Sequence, residues 1–157
     1  MPFYSLDGID GDAARRLLTR LPESTLDNRW NHSPTLGTFL RSIAEHPQVK
    51  GNAGFTDSGE ADERAALSGV IIDDPELVAF TPDTALGPVP SWIEDLDEDL
   101  QREYRISREL CIRSSVYRQR WLAAQLRYDI HDAITGPDEL DVVRGPDGRS
   151  VLHLWWD

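Results

Sequence analysis

Between Pro90 and Gly136 the chain contains neither glycine nor proline. These are the residues that most readily stop a helix, so the gap constrains the fold more than any other feature. The run opens on Ser91-Trp92-Ile93-Glu94, a serine with a glutamate three positions on. That pairing satisfies two orphan amides at a helix start. The spacing predicts one helix over 92–134, or two helices broken near Ser107 or Ser114–Ser115.

After Gly136-Pro137, two alternating runs follow, Leu140–Arg144 and Ser150–Trp156, joined by Gly145-Pro146-Asp147-Gly148. This is the pattern of a β-hairpin. A hairpin alone is marginal, so Trp155 or Trp156 is expected to pack on a helix, or the hairpin to add to another strand such as Phe3–Leu6. Upstream, Asp10 or Asp12 caps a helix that ends at Leu21-Pro22. Ser33-Pro34 starts another, with Leu36, Phe39, Leu40, Ile43 and Ala44 on its apolar side and His46-Pro47 at its end. A helix is expected over 61–72, with a strand at Val70–Ile72 as the alternative, and Asp74-Pro75-Glu76 begins a short helix through Phe80. Residues 48–60 and 81–90 have loop chemistry. The expected fold is α+β: a predominantly helical single domain over 1–157, with one long helix and a C-terminal hairpin. A chain of 157 residues, 39% apolar, can bury a core of that kind.

Charge is unevenly spread. Residues 51–100 hold thirteen carboxylates against Arg64 alone, which accounts for the whole net charge of −12. Within that segment Glu94, Asp95, Asp97, Glu98 and Asp99 crowd together, and arginines 102, 105 and 108 follow at once. Carboxylates in a first helical turn meet the positive end of the helix dipole. At about 100° per residue, Arg102, Arg113, Arg120 and Arg127 fall within about 40° of one another. Leu110, Tyr117, Trp121, Ala124 and Tyr128 line the flank beside them. The aromatic line reads as core, and the arginine line as a partner for the acids of 57–99, within one chain or across a symmetric antiparallel dimer. The acidic field opposes nucleic-acid binding. No apolar run reaches the roughly 18 residues of a membrane span.

Signatures of chemistry are sparse. Asp95, Asp97 and Asp99 imitate the first ligands of a calcium loop, but Leu100 and Ile106 occupy the positions of its glycine and closing glutamate. The carboxylates of Asp7–Asp12 are out of register for the same loop. There is no phosphate loop, nucleophile elbow, zinc helix or C-x-x-C. Cys111, the single cysteine, fits a reducing cytoplasm and reads as a buried inert thiol. His131 sits in Tyr128-Asp129-Ile130-His131-Asp132, where Asp132 points about 100° away on a helix. Neither a metal nor an organic cofactor is expected.

The cadence FLRSIAEHPQV followed by DERAALSG, within Phe39–Gly69, resembles the small helical, non-catalytic subunit of extradiol ring-cleaving dioxygenases. His46-Pro47 departs from the acid-Pro pair usual there, and the long helix and terminal hairpin are not features of that family.

Two classes of function follow. Concentrated charge without a catalytic motif favours a non-catalytic interaction or regulatory module. Its acidic surface of Glu94, Asp95, Asp97, Glu98 and Asp99 would face a basic protein partner, or self-association would use the arginine line. The alternative is a small cytoplasmic enzyme with a site of dispersed residues, or a non-catalytic helical subunit of a larger enzyme complex.

Overall fold

A computed structural model describes residues 3–56, 66–80, 88–145 and 147–157. Among these residues the fold is α+β, with five α-helices, one of them long, and a C-terminal hairpin. Its elements run β1 (Phe3–Ile9), α1 (Gly11–Arg20), α2 (Glu23–Leu26), α3 (Leu36–Glu45), β2 (Val49–Thr56), β3 (Gly69–Ile72), α4 (Pro75–Val78), a 3-10 turn (Ser91–Asp95), α5 (Glu98–Tyr128), β4 (Glu139–Arg144) and β5 (Ser150–Trp155). The strands form one antiparallel sheet in the order β1-β2-β3-β5-β4. Among the described residues, no helix is long and apolar enough to cross a membrane.

The pleat sorts the sheet into two faces. Val70 pairs with Leu154 and Ile72 with Leu152, and all four are fully buried. Between them Ile71 pairs with His153, and both are half-buried. The fully buried row packs in one cluster with Leu36, Phe39, Leu40 and Ile43 of α3, Leu77 of α4, and Ala124 and Tyr128 of α5. Trp156 closes this core. Its ring meets Phe39 edge-on at 5.7 Å and Trp121 at 5.5 Å. The hairpin therefore packs on helices and adds to β3, not to Phe3–Leu6.

Several local expectations are corrected. Residues 49–56 form strand β2, not loop, because the segment pairs with β1 on one side and β3 on the other. Gly69–Ile72 is a strand, the β-branched alternative, and residues 61–65 of the expected helix lie outside the described residues. Of the expected loop 81–90, residues 81–87 lie outside them too. Helix α3 is capped by Thr35, whose hydroxyl accepts the Thr38 amide at 3.2 Å. Ser33 instead accepts the Trp30 amide at 3.0 Å.

The long helix is present but shorter than 92–134. Ser91–Asp95 winds as a separate 3-10 turn without a side-chain cap. Gln101 ties that turn down by donating to the Leu96 carbonyl at 2.8 Å, and Trp92 lies edge-on to Tyr104 at 6.3 Å. Asp97 then caps α5 by accepting the Leu100 amide at 2.9 Å. The far end stops at Asp129, which adopts a left-handed conformation with φ of 56° while its amide donates to the Gln125 carbonyl. Aspartate is among the few residues besides glycine that visit this region.

Gly69 marks the tightest approach in the sheet among the described glycines. A Cβ there would collide with the Leu154 carbonyl oxygen and sit 3.2 Å from the Trp155 ring. Overpacking of this kind costs about 1–3 kcal/mol. Gly69→Ala is therefore expected to lower the melting temperature by roughly 3–10 °C, and thermal unfolding followed by circular dichroism checks it.

Candidate functional site

Two regions gather charged side chains. The first is the start of the long helix. Glu94 and Asp95 are exposed on the 3-10 turn, and Asp97, Glu98 and Asp99 are exposed on the first turn of α5. The Asp97 carboxylate is engaged as the cap. Among the described residues, Asp99 is the only one of the five in an ion pair, 3.7 Å from Arg102 with both side chains largely in solvent. Trp92 and Leu100 are exposed in the same stretch.

The arginines do not act as one stripe. Arg113 pairs with Glu109 of its own helix at 3.0 Å. Among the described residues Arg120 faces no carboxylate at bonding distance; it donates to the carbonyls of Leu77 at 3.0 Å and Val78 at 2.9 Å, at the end of α4. Burial lowers the Arg120 pKa and nearby Asp141 opposes that. Arg127 forks between Asp74 and Glu76, each at 3.0 Å. Arg102 and Arg127 thus meet acids from 57–99, while Arg113 and Arg120 do not. The helical wheel fixes a direction for each side chain, but the element it meets comes from tertiary packing.

The second region centres on Asp74, and the sequence reading assigned it only as a helix cap. One carboxylate oxygen accepts the amides of Glu76 at 3.0 Å and Leu77 at 3.2 Å. The other accepts the Tyr128 hydroxyl at 2.5 Å and Arg127 at 3.0 Å. Burial pushes the Asp74 pKa up, but the Tyr128 hydroxyl, the Leu77 amide and Arg127 together outweigh it and hold the carboxyl below its usual range. Tyr128 is pushed upward, by burial first and then by the Asp74 charge. Each Asp74 oxygen already accepts two bonds, and the phenol keeps its proton. The pair is built to hold rather than to take a proton from a substrate.

Beside this knot, His46 Nε2 lies 3.0 Å from Asp129, and His131 Nε2 lies 3.4 Å from the other Asp129 oxygen. Hydrogen bonding from His46 is the largest influence holding Asp129 low. The His46 ring stands edge-on to Tyr128 at 5.3 Å. His46, Gln48, Pro75, Glu76 and Arg127 line an open groove of about 610 Å³. Glu45, His46 and Asp129 each bring one ligand atom within 4.8 Å of the others, the one such group among the described residues. Glu45 and Asp129 are exposed, and the His46–Asp129 hydrogen bond already accounts for the closest approach. A separation of 83 positions between His46 and Asp129 left no spacing signal to read. The acids at 95, 97 and 99 do not join this group. Asp132 serves α3: it accepts the hydroxyls of Thr35 and Thr38, both at 2.8 Å. Cys111 is exposed, not buried, because it lies where α5 runs past the core.

No family model, curated protein or solved structure matches the chain. The likeness of Phe39–Gly69 to the dioxygenase subunits therefore rests on those residues alone. Part of that stretch is strand here, not helix.

Replacing Asp74 with alanine removes a cap and leaves the buried Tyr128 hydroxyl without its acceptor. The expected cost is roughly 2–4 kcal/mol, read by urea unfolding. Because the folded-state pKa of Asp74 is depressed, its contribution is present above the unfolded value near 3.8 and is lost as pH falls through the lower folded value. Asp74→Asn should therefore flatten part of the acid side of the stability–pH curve and leave the neutral side parallel to the parent.

Proposed function

We propose that the chain is a non-catalytic interaction module that offers the acidic start of its long helix to a basic protein partner. The observation that carries this reading is the exposure of Glu94, Asp95, Asp97, Glu98 and Asp99 in one short stretch, with one long ion pair among them. Single exposed pairs contribute only about 0–1 kcal/mol each, so recognition draws on the five together. Trp92, 57% exposed, supplies an aromatic anchor beside the charge, the residue type that most often dominates interface energies. A clustered negative field also steers a positive partner in and makes the encounter salt-dependent.

The rival reading, a small enzyme, would use the groove beside Asp74. It is the weaker of the two because the Asp74 oxygens and the Tyr128 hydroxyl are already committed to one another and to α4.

The test is fluorescence anisotropy with a labelled arginine-rich peptide. Neutralising the five acids (Glu94→Gln, Asp95→Asn, Asp97→Asn, Glu98→Gln, Asp99→Asn) should weaken binding about tenfold or more at low salt. A control neutralises five acids elsewhere, at Glu23, Asp27, Glu139, Asp141 and Asp147, and should change binding by less than about twofold. Equal losses in both variants would mean that total charge, not this surface, attracts the peptide.

A further inference from the structure

We infer that the overhanging half of α5 pairs with the same segment of a second copy of this chain, antiparallel and about a two-fold axis. This surface is separate from the acidic stretch at 94–99 and does not depend on its partner.

The observation behind it is a stripe that outruns its core. Along α5, Tyr117, Trp121, Ala124 and Tyr128 pack into the body. At about 100° per residue the same line continues backwards through Leu110 and Ile106. Those two side chains are 55% and 52% exposed. The positions 106, 110, 113 and 117 alternate steps of four and three, the spacing of a helix–helix seam. Thus the face that the sheet and α3 cover further along the helix is left uncovered here.

Charge identifies the occupant. The seam positions flanking the apolar pair are Glu103 on one side and Arg113 on the other. A two-fold axis crossing the helix at the level of Arg108 sets Ile106 against Leu110 of the second copy, and Leu110 against Ile106. It also sets Glu103 against Arg113 at both ends. Acid meets base twice, and the apolar contacts lie between. Sliding the second helix by one heptad in either direction places Glu103 on Ile106 or Arg113 on Leu110, so the sequence selects one register. Arg113 already touches Glu109 at 3.0 Å, but its side chain is 73% exposed. An exposed i,i+4 pair of that kind is weak, and the guanidinium has donors to spare for a second carboxylate. Isologous pairing of one patch with itself is what a two-fold interface requires.

The experiment is sedimentation equilibrium on the full chain over roughly a hundred-fold range of concentration, since a small interface is governed by mass action. The parent is expected to pass from monomer to dimer. Ile106→Glu with Leu110→Glu should stay monomeric with an unchanged helical spectrum; both sites are exposed, so folding is spared. Glu103→Arg alone and Arg113→Glu alone should each weaken the dimer about tenfold or more by setting like charges together. Combining the two swaps the pair and should restore the parent's affinity. A parent monomeric throughout, a dimer that survives the Ile106/Leu110 change, or a double charge swap no tighter than either single change would each overturn the proposal.

Discussion

Asp74 is the point at which the long helix is fastened to the rest of the molecule. Its carboxylate caps α4 through the Glu76 and Leu77 amides and takes Arg127 and Tyr128 from α5 on its other oxygen. Two turns earlier on α5, Arg120 holds the carbonyls of Leu77 and Val78 at the opposite end of α4. A helix of a single turn is thus clasped at both ends by one neighbour. The clasp also sets the two helices antiparallel, the orientation in which their dipoles attract. A buried carboxylate left unpaired would be costly, whereas one accepting four bonds fixes a unique arrangement. Where α5 points, and hence where its acidic start projects, follows from this contact.

A second fastening acts just beyond the end of the helix. Asp129 turns the chain with a left-handed residue and meets His46. Asp132 binds the two threonines at the start of α3, and Arg29 donates to the Asp132 carbonyl. Trp156 then reaches back, donating to the Thr135 carbonyl at 3.0 Å while its ring sits between Phe39 and Trp121. The irregular stretch between α5 and β4 is therefore held by polar bonds on one side and the hairpin's last tryptophan on the other. Polar groups of this stretch find partners in the absence of regular structure, as buried backbone requires.

Much of this was legible where the cause is local. The α+β class, the long helix, the terminal hairpin, the Asp74 cap, a cap at Asp10 or Asp12 (Asp10 in the structure) and the apolar side of α3 all follow from neighbours in sequence. Strand β2 was not legible, because VKGNAGFT has weak strand propensity and owes its state to pairing on both sides. The end of α5 was missed because an aspartate, not a glycine, takes the left-handed cap. The arginine line was geometrically sound, yet α4 meets it with a carboxylate at Arg127 and with backbone carbonyls at Arg120. Cys111 looked buried because a wheel shows which side chains share a face but not how far the core extends beneath them.

The acid-to-base flip at the start of α5 has its first explanation in that overhang. A helix that leaves its core must hold its own shape, and isolated helices are marginal without local support. Here support comes from the Asp97 cap, from acids beside the positive end of the dipole, and from a ladder of side-chain contacts: Arg102 with Asp99, Arg105 with Gln101, Arg113 with Glu109 and Gln119 with Ser115. Each such contact adds only about 0.2–0.5 kcal/mol, but together they suit a rod standing in water. Acids first and arginines after is the order the dipole favours along such a rod. That logic accounts for the charges and leaves Leu100, Ile106 and Leu110 unaccounted for. A helix built only to stand in water has no use for three large apolar side chains on its exposed half. The exposure of Ile106 and Leu110 is what the proposed pairing with a second copy would cover.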